Sequence, residues 1–197
     1  MELRLPTEAE AIALARAAPG DLETDPNWPV APGTNSPVAI GVLQWYWRAL
    51  GTWKVDHWRL PLGVWIDGEA VGFQELEAER FAMFRTVETS SWLVSTARGR
   101  GIGKEMRAAV LGLAFEHLGA DVATSGAWES NAASLGVSRA LGYEDNGWHM
   151  HEHEGRVGVM RRVVLTRERW DGSASPVSVE NVEPCRPWFN AVAPPSA

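Results

Sequence analysis

Hydrophobic and polar positions recur along this chain with two periods, one of two residues and one between three and four. Glu2–Leu5 alternates residue by residue and predicts a short first strand. Thr7-Glu8-Ala9-Glu10 has capping-box spacing, and the helix formers of Ala9–Ala18 follow it. Pro19-Gly20 ends that helix. Residues 20–37 hold Pro26, Pro29, Pro32, Pro37, Gly33, Asn27 and Asn35. They predict a loop longer than connections usually run, of the kind that is either a functional lid or disordered. Ser36-Pro37 reads as an N-cap with proline at the first helical position, opening a helix over Val38–Leu50.

The remaining elements follow by the same rules. Arg59–Ile66 and Ala70–Leu76 are strands joined by a hairpin turn at Asp67-Gly68. Val87–Val94 is a third strand of this region. Lys104–Leu118 is a helix, with Met106, Val110, Leu113, Ala114 and Leu118 spaced by three and four. Asp121–Ala127 is a strand, and Ser130–Leu141 is a helix closed by Gly142. Tyr143–His153 and Arg156–Thr166 form a final antiparallel pair across Glu154-Gly155. Strand 87–94, helix 104–118 and strand 121–127 make a right-handed βαβ unit with parallel strands. The expected class is therefore α/β (α+β), a mixed, mostly antiparallel sheet with one parallel pair and flanking helices. Residues 1–170 form one domain, and 171–197 form a Pro/Ser-rich tail strapped on by Trp188 and Phe189.

Composition narrows the function. The chain has 197 residues, 45% apolar and 22% charged, which suits one globular domain with its own core. A net charge of −7 argues against nucleic acid as the main partner. The single cysteine, Cys185, excludes an intramolecular disulfide and fits a reducing compartment. No apolar run reaches the length of a membrane span, and the N-terminus lacks a signal-peptide pattern, so a cytoplasmic location without membrane attachment is expected. Tryptophan is the outlier: there are 11, enough to wall a core or a pocket.

The chemistry starts at RGRGIGKEMR, residues 98–107. A Walker A loop fails there, because residue 98 is Arg and residue 105 is Glu. A dinucleotide fingerprint fails on the interval between Gly99, Gly101 and Gly103. What remains is a glycine loop at a helix N-terminus, where bare amides and the helix dipole suit an anion such as a pyrophosphate. Arg98, Arg100 and Lys104 add positive charge. The plainer alternative is a tight strand-to-helix turn with a solvated basic face.

Arg98-Gly-Arg-Gly101-Ile-Gly103 resembles the Gln/Arg-x-x-Gly-x-Gly/Ala motif of the GNAT superfamily, the Gcn5-related N-acetyltransferases. Asn131–Tyr143 is similar to that family's Asn-x-x-Ser/Ala…Leu-Gly-Phe helix. Ser91-Trp92-Leu93 resembles the strand motif of its RimJ/RimL-like ribosomal-protein N-acetyltransferase branch. The likeness covers about residues 56–169 by motif and extends to 1–55 by element order, but not to the tail. It implies acetyl-CoA, or another acyl-CoA, as co-substrate, wedged where two central parallel strands splay, with no metal. It implies direct attack of a primary amine on the thioester. Trp92, Leu93 and Val94 would line the splay, with the N–H of Leu93 or Val94 donating to the developing oxyanion. The amides of Arg100, Gly101, Ile102, Gly103 and Lys104 would hold the pyrophosphate, with Arg98 and Gly99 completing the loop. Asn131 and Ser134 would meet the pantetheine arm. Many relatives protonate the leaving thiolate with a Tyr, and that position is Ser138 here. Ser134 and Ser138, four apart on one helical face, are therefore candidates for the acid, or else plain surface serines.

Three places offer a base: Glu88 at the start of the strand carrying Trp92, Glu75 on the preceding strand, and His151 within His149-Met-His151-Glu152-His153. The histidines at alternate positions lack a metal-protease motif and a nearby cysteine, so a polar hairpin edge is the simpler reading. The acceptor pocket is expected from loop 20–37, helix 38–50, the Trp53–Trp58 segment and the last hairpin, which carry Trp28, Trp45, Trp47, Trp53, Trp58 and Trp148. The acidic chain favours a cationic amine. The resemblance implies a peptide or protein N-terminus or a small-molecule amine as acceptor, and it is compatible with a homodimer. A catalytically silent acyl-CoA sensor and a nucleotide-binding regulatory domain remain alternatives.

Overall fold

The computed structural model describes residues 1–22, 37–153, 156–172 and 176–191. Its elements run β1 (Glu2–Arg4), α1 (Glu8–Ala17), α2 (Pro37–Gly51), β2 (His57–Ile66), β3 (Glu69–Glu79), α3 (Phe81–Phe84), β4 (Thr86–Leu93), α4 (Ile102–Gly112), β5 (Val122–Trp128), α5 (Ala132–Ala140), β6 (Glu144–His153) and β7 (Arg156–Thr166). The Thr7 capping box forms as expected: Thr7 accepts from the Glu10 N–H and Glu10 accepts from the Thr7 N–H. The short α3 is an addition, a single turn between left-handed Arg80 and Arg85 that buries Phe81. The long helix also differs, because beyond Gly112 it widens into a π-helical stretch over Leu113–Leu118. Its apolar face stays buried throughout, which is why the pattern read as one helix. The Ser36 cap and most of loop 20–37, including Trp28, lie outside the described residues, as does the turn at Glu154-Gly155.

The sheet is seven-stranded, in the order β1-β2-β3-β4-β5-β7-β6. Every pairing is antiparallel except β4 with β5. That parallel pairing covers only Thr86–Glu88 against Val122–Thr124. Beyond it, β4 stays with β3 as far as Leu93 and β5 stays with β7 as far as Trp128. The two central strands therefore diverge into an open V. At its vertex side chains take over from the backbone ladder: Ser125 Oγ donates to the Thr89 carbonyl at 2.9 Å and Thr124 Oγ1 to that of Val87 at 3.3 Å.

The sheet buries both faces. One carries the main core, where Leu60, Leu62, Leu76, Val87, Ala123, Val163 and Leu165 pack against Val110, Leu111, Ala114, Phe115 and Leu118 of α4 and its continuation. The opposite face is covered at one end by α1 and α2, whose Ala15, Ala39 and Val42 form a second cluster against Trp92. The C-terminal segment joins the main core. Phe189 and Ala191 are buried there, and their carrier is a 3-10 stretch over Glu183–Phe189. Trp58 donates to the Phe189 carbonyl at 3.0 Å and Trp53 to that of Trp188 at 3.1 Å. Phe189 thus supplies the strap, whereas the Trp188 ring is exposed.

Candidate functional site

The turn between β4 and α4 is shaped by its glycines. Gly99 and Gly101 adopt φ of 72° and 83°, the left-handed region that a side chain disfavours, and Gly101 is the N-cap of α4. A Cβ at either would meet nothing within 4 Å, so the outer face of the turn is open. The Gly101 carbonyl takes the N–H groups of Lys104 and Glu105. Those of Ile102 and Gly103 find no carbonyl among the described residues and remain at the positive end of the helix. Arg100 and Lys104 flank them, both exposed. Arg98 departs from the expected role. Its guanidinium grips Asp21 with two bonds of 2.7 and 2.8 Å, and its Nε reaches the Leu93 carbonyl. It ties the end of the α1 region to the turn, so the cationic wall is left to Arg100 and Lys104.

The V opening distinguishes the two candidate amides, Leu93 and Val94, by direction. The Val94 N–H donates to the Val71 carbonyl at 2.9 Å and is spent within the β3–β4 pairing. Backbone N–H directions alternate along a strand, so that of Leu93 turns the other way, toward the side of the opening. Gly72, opposite Leu93, permits this approach: a Cβ there would stand 2.5 Å from the Trp92 carbonyl and 3.2 Å from Leu93 Cα. The Trp92 ring stacks on Phe73 (centroids 6.3 Å apart, planes at 14°), and Phe73 meets Trp45 edge-on at 4.5 Å. Trp92 thus packs toward α2, away from the opening.

Helix α5 borders the opening on its other side. Asn131 is its N-cap, its Oδ1 accepting from the Ser134 N–H at 3.0 Å. Ser134 is half-buried. Ser138 is buried and fully engaged: it accepts from Arg107 at 2.8 Å and donates to the Ser134 carbonyl at 3.1 Å. Its hydroxyl therefore bridges the Arg107 guanidinium and the Ser134 carbonyl.

Across the sheet from α4, strand registry gathers acids. Glu75 lies opposite Ser90, and Glu77 opposite Glu88. Glu75 is 3% exposed. Its Oε2 accepts from Ser90 Oγ at 2.9 Å, its Oε1 has no hydrogen-bond partner, and the Arg59 guanidinium stands 3.8 Å away. Burial, with repulsion from Glu77, pushes the Glu75 carboxyl up to about 8, against the pull of Arg59 and Ser90. Burial also raises Glu77, although Arg59 Nε binds it at 2.9 Å. Glu88 is exposed on the same face. His151 sits elsewhere, exposed on edge strand β6 with its ring 5.2 Å from Trp128. Three strand intervals separate β6 from β4, about 14 Å. The three candidate bases therefore resolve into a Glu75–Glu88 neighbourhood and a remote histidine.

Two tryptophans expected around the acceptor belong to the core instead. Trp58 is fully buried, and Trp53 stacks on it, both on the side of Phe189. Trp45 meets the Glu75 face of β3 through Phe73. A cleft of about 520 Å³ lined by Arg48, Gly51, Thr52, Lys54, His57 and Arg59 opens at the outer side of the cluster. Arg59, Glu77 and Ser90 carry no motif that marks them in the sequence. The two-residue period of β4 already places Ser90 beside Glu88, but the β3 partners depend on strand registry.

Residues 1–144 match the model of an acetyltransferase (GNAT) domain. Among solved structures, Mycobacterium smegmatis RimJ in complex with CoA-disulfide is 22% identical, with a TM-score of 0.70 over 84% of this chain and 81% of that one. A RimL ribosomal L7/L12 α-N-protein acetyltransferase in complex with coenzyme A is 13% identical, with a TM-score of 0.69 over 83% of this chain and 92% of that one. A point mutant of Vibrio cholerae spermidine N-acetyltransferase SpeG is 13% identical, with a TM-score of 0.67 over 89% of this chain and all of that one (100%).

Proposed function

Because the chain belongs to the GNAT acetyltransferase family, we propose that this N-acetyltransferase moves an acetyl group from acetyl-CoA to a primary amine by direct attack in a ternary complex. One observation carries the reading. The β4–β5 opening lies between free helix amides and an acidic cluster, so donor and acceptor can approach from opposite sides. The donor side fits acyl-CoA. The unpaired amides of Ile102 and Gly103, the open face at Gly99 and Gly101, and the side chains of Arg100 and Lys104 suit a pyrophosphate. Acetyl-CoA would supply an activated acyl carbon. The Leu93 N–H is the donor for the oxygen that becomes negative on attack.

The acceptor side supplies the proton chemistry. An amine must be neutral to attack, and a base whose pKa lies near the working pH removes its proton best. Glu75, held up to about 8 by burial, has that property, and Ser90 keeps its Oε2 oriented. Glu77 and Glu88 draw a cationic amine to the same face. An acceptor amine on a peptide N-terminus or a polyamine is consistent with the likeness to a ribosomal-protein α-N-acetyltransferase and a spermidine N-acetyltransferase.

The test is to mix the protein and acetyl-CoA with a panel of peptides bearing free N-termini and of polyamines, reading release of CoA thiol. Thiol release with one acceptor class identifies the substrate. Saturable acetyl-CoA binding without thiol release for any amine would assign the chain to the acyl-CoA sensors.

A further inference from the structure

Arg107 is buried to 4% exposure, the one cation among the described residues in that state. Its Nη1 donates to Ser138, its Nε has no partner, and no described carboxylate lies within ion-pair distance. A buried charge without a counter-charge costs stability, and residues of this kind persist where an anion completes them. The position says which anion. Gly103, one turn before Arg107 on the same face of α4, looks onto Leu93 at the end of β4 and onto Val137 of α5. Arg107 lies about 6 Å further along the helix, away from the N-terminal amides. Its surroundings are the vertex of the V. Tyr143, whose hydroxyl has no hydrogen-bond partner, interacts with it electrostatically and sits beside Thr89 on β4, whose carbonyl accepts from Ser125 on β5. Tyr143 is the titratable group facing it, kept protonated by burial, and Glu88 acts on Tyr143 through β4.

Resting on the acyl-CoA reading above, we propose that Arg107 is the counter-charge for the thiolate that leaves the thioester. In the transfer the amine nitrogen forms the C–N bond and the C–S bond breaks with its electron pair going to sulfur. Glu75 takes the ammonium proton before attack and passes it to solvent, and then takes the one proton that nitrogen sheds on acylation. Sulfur then departs as an anion beside the guanidinium, and no proton from Ser138 is needed. A pyrophosphate does not satisfy Arg107, since that group belongs at the helix N-terminus, a turn away and outside the core.

The experiment titrates the thiol of bound CoA by its thiolate ultraviolet absorbance, in the Cys185→Ser background so that the protein's only thiol is absent. In this protein the bound thiol is expected to titrate about 1 unit or more below free CoA. Arg107→Met is expected to abolish the shift, and Arg107→Lys to retain part of it. Arg107→Met should melt no lower than the parent, because an apolar isostere relieves the buried charge. If it melts lower, the comparison of the parent with Arg107→Lys decides. An unshifted thiol in the parent, with acetyl transfer still proceeding, overturns the role of Arg107 alone. Loss of affinity for adenosine 3′,5′-bisphosphate in Arg107→Met, with the thiol shift unchanged, would assign Arg107 to a phosphate and also overturn it. Failure of the parent to bind CoA overturns this inference and the donor reading together.

Discussion

Ser90 Oγ donates to Glu75 Oε2 at 2.9 Å across the β3–β4 pairing, and this contact orients the most buried carboxylate of the described residues. If Glu75 is the base, its ionised form does the work, and with the carboxyl held up to about 8 the ionised fraction grows as pH rises through that value. The rate under limiting amine is therefore expected to climb with pH to a plateau above about 8. Glu75→Gln should lower kcat/KM about 100-fold or more and remove that limb, whereas Glu88→Gln should keep it. Ser90→Ala removes a bond that favours the charged form, so the limb should move to higher pH. A pH–rate profile that Glu75→Gln leaves unchanged would return the role to solvent.

The same carboxyl makes folding stability depend on pH. Its pKa is higher in the folded chain than in the unfolded one, so the folded state binds the extra proton between the ordinary carboxylate range and about 8. Stability is full below that window, falls as pH rises across it, and is flat above. Glu75→Gln should melt higher than the parent at pH 9 and close to it at pH 4, as measured by thermal unfolding at both values.

Gly101→Ala and Gly103→Ala separate geometry from space. Gly101 has a φ of 83°, so a side chain there costs about 1–2 kcal/mol and projects from the open face of the turn. It should raise the KM for acetyl-CoA about 10-fold or more. A Cβ at Gly103 would stand 3.6 Å from Val137 and 3.7 Å from Leu93, ordinary contact distances, so Gly103→Ala should bind acetyl-CoA within about 3-fold of the parent. Isothermal titration with CoA checks both.

Phe189→Ala should destabilise the fold by about 3 kcal/mol or more, because the ring is 7% exposed and lies 4.9 Å from that of Trp58. Trp188→Ala, with its ring 63% exposed, should change stability by less than about 1 kcal/mol. Urea unfolding midpoints of the two variants test whether 183–191 belongs to the cooperative unit.

Local order was legible in the sequence, since it is written in short-range spacing. The Thr7–Glu10 box, the turn glycines, the alternation of β4 and the βαβ unit each depend on residues within a few positions of one another. That is enough to determine the class of fold and the place of the glycine turn before α4. What joins distant segments needed the tertiary structure. Registry between β3 and β4 set Ser90 against Glu75 and made that acid, rather than His151, the buried one. One long-range backbone bond, Val94 to Val71, occupies one of two adjacent amides. A basic residue in the middle of an amphipathic helix reads as solvated until the packing of α5 and Tyr143 closes over it, and only then does Arg107 become a buried charge. Periodicity depends on neighbours in the chain, whereas pKa shifts and unpaired charges depend on the burial that neighbours in space impose.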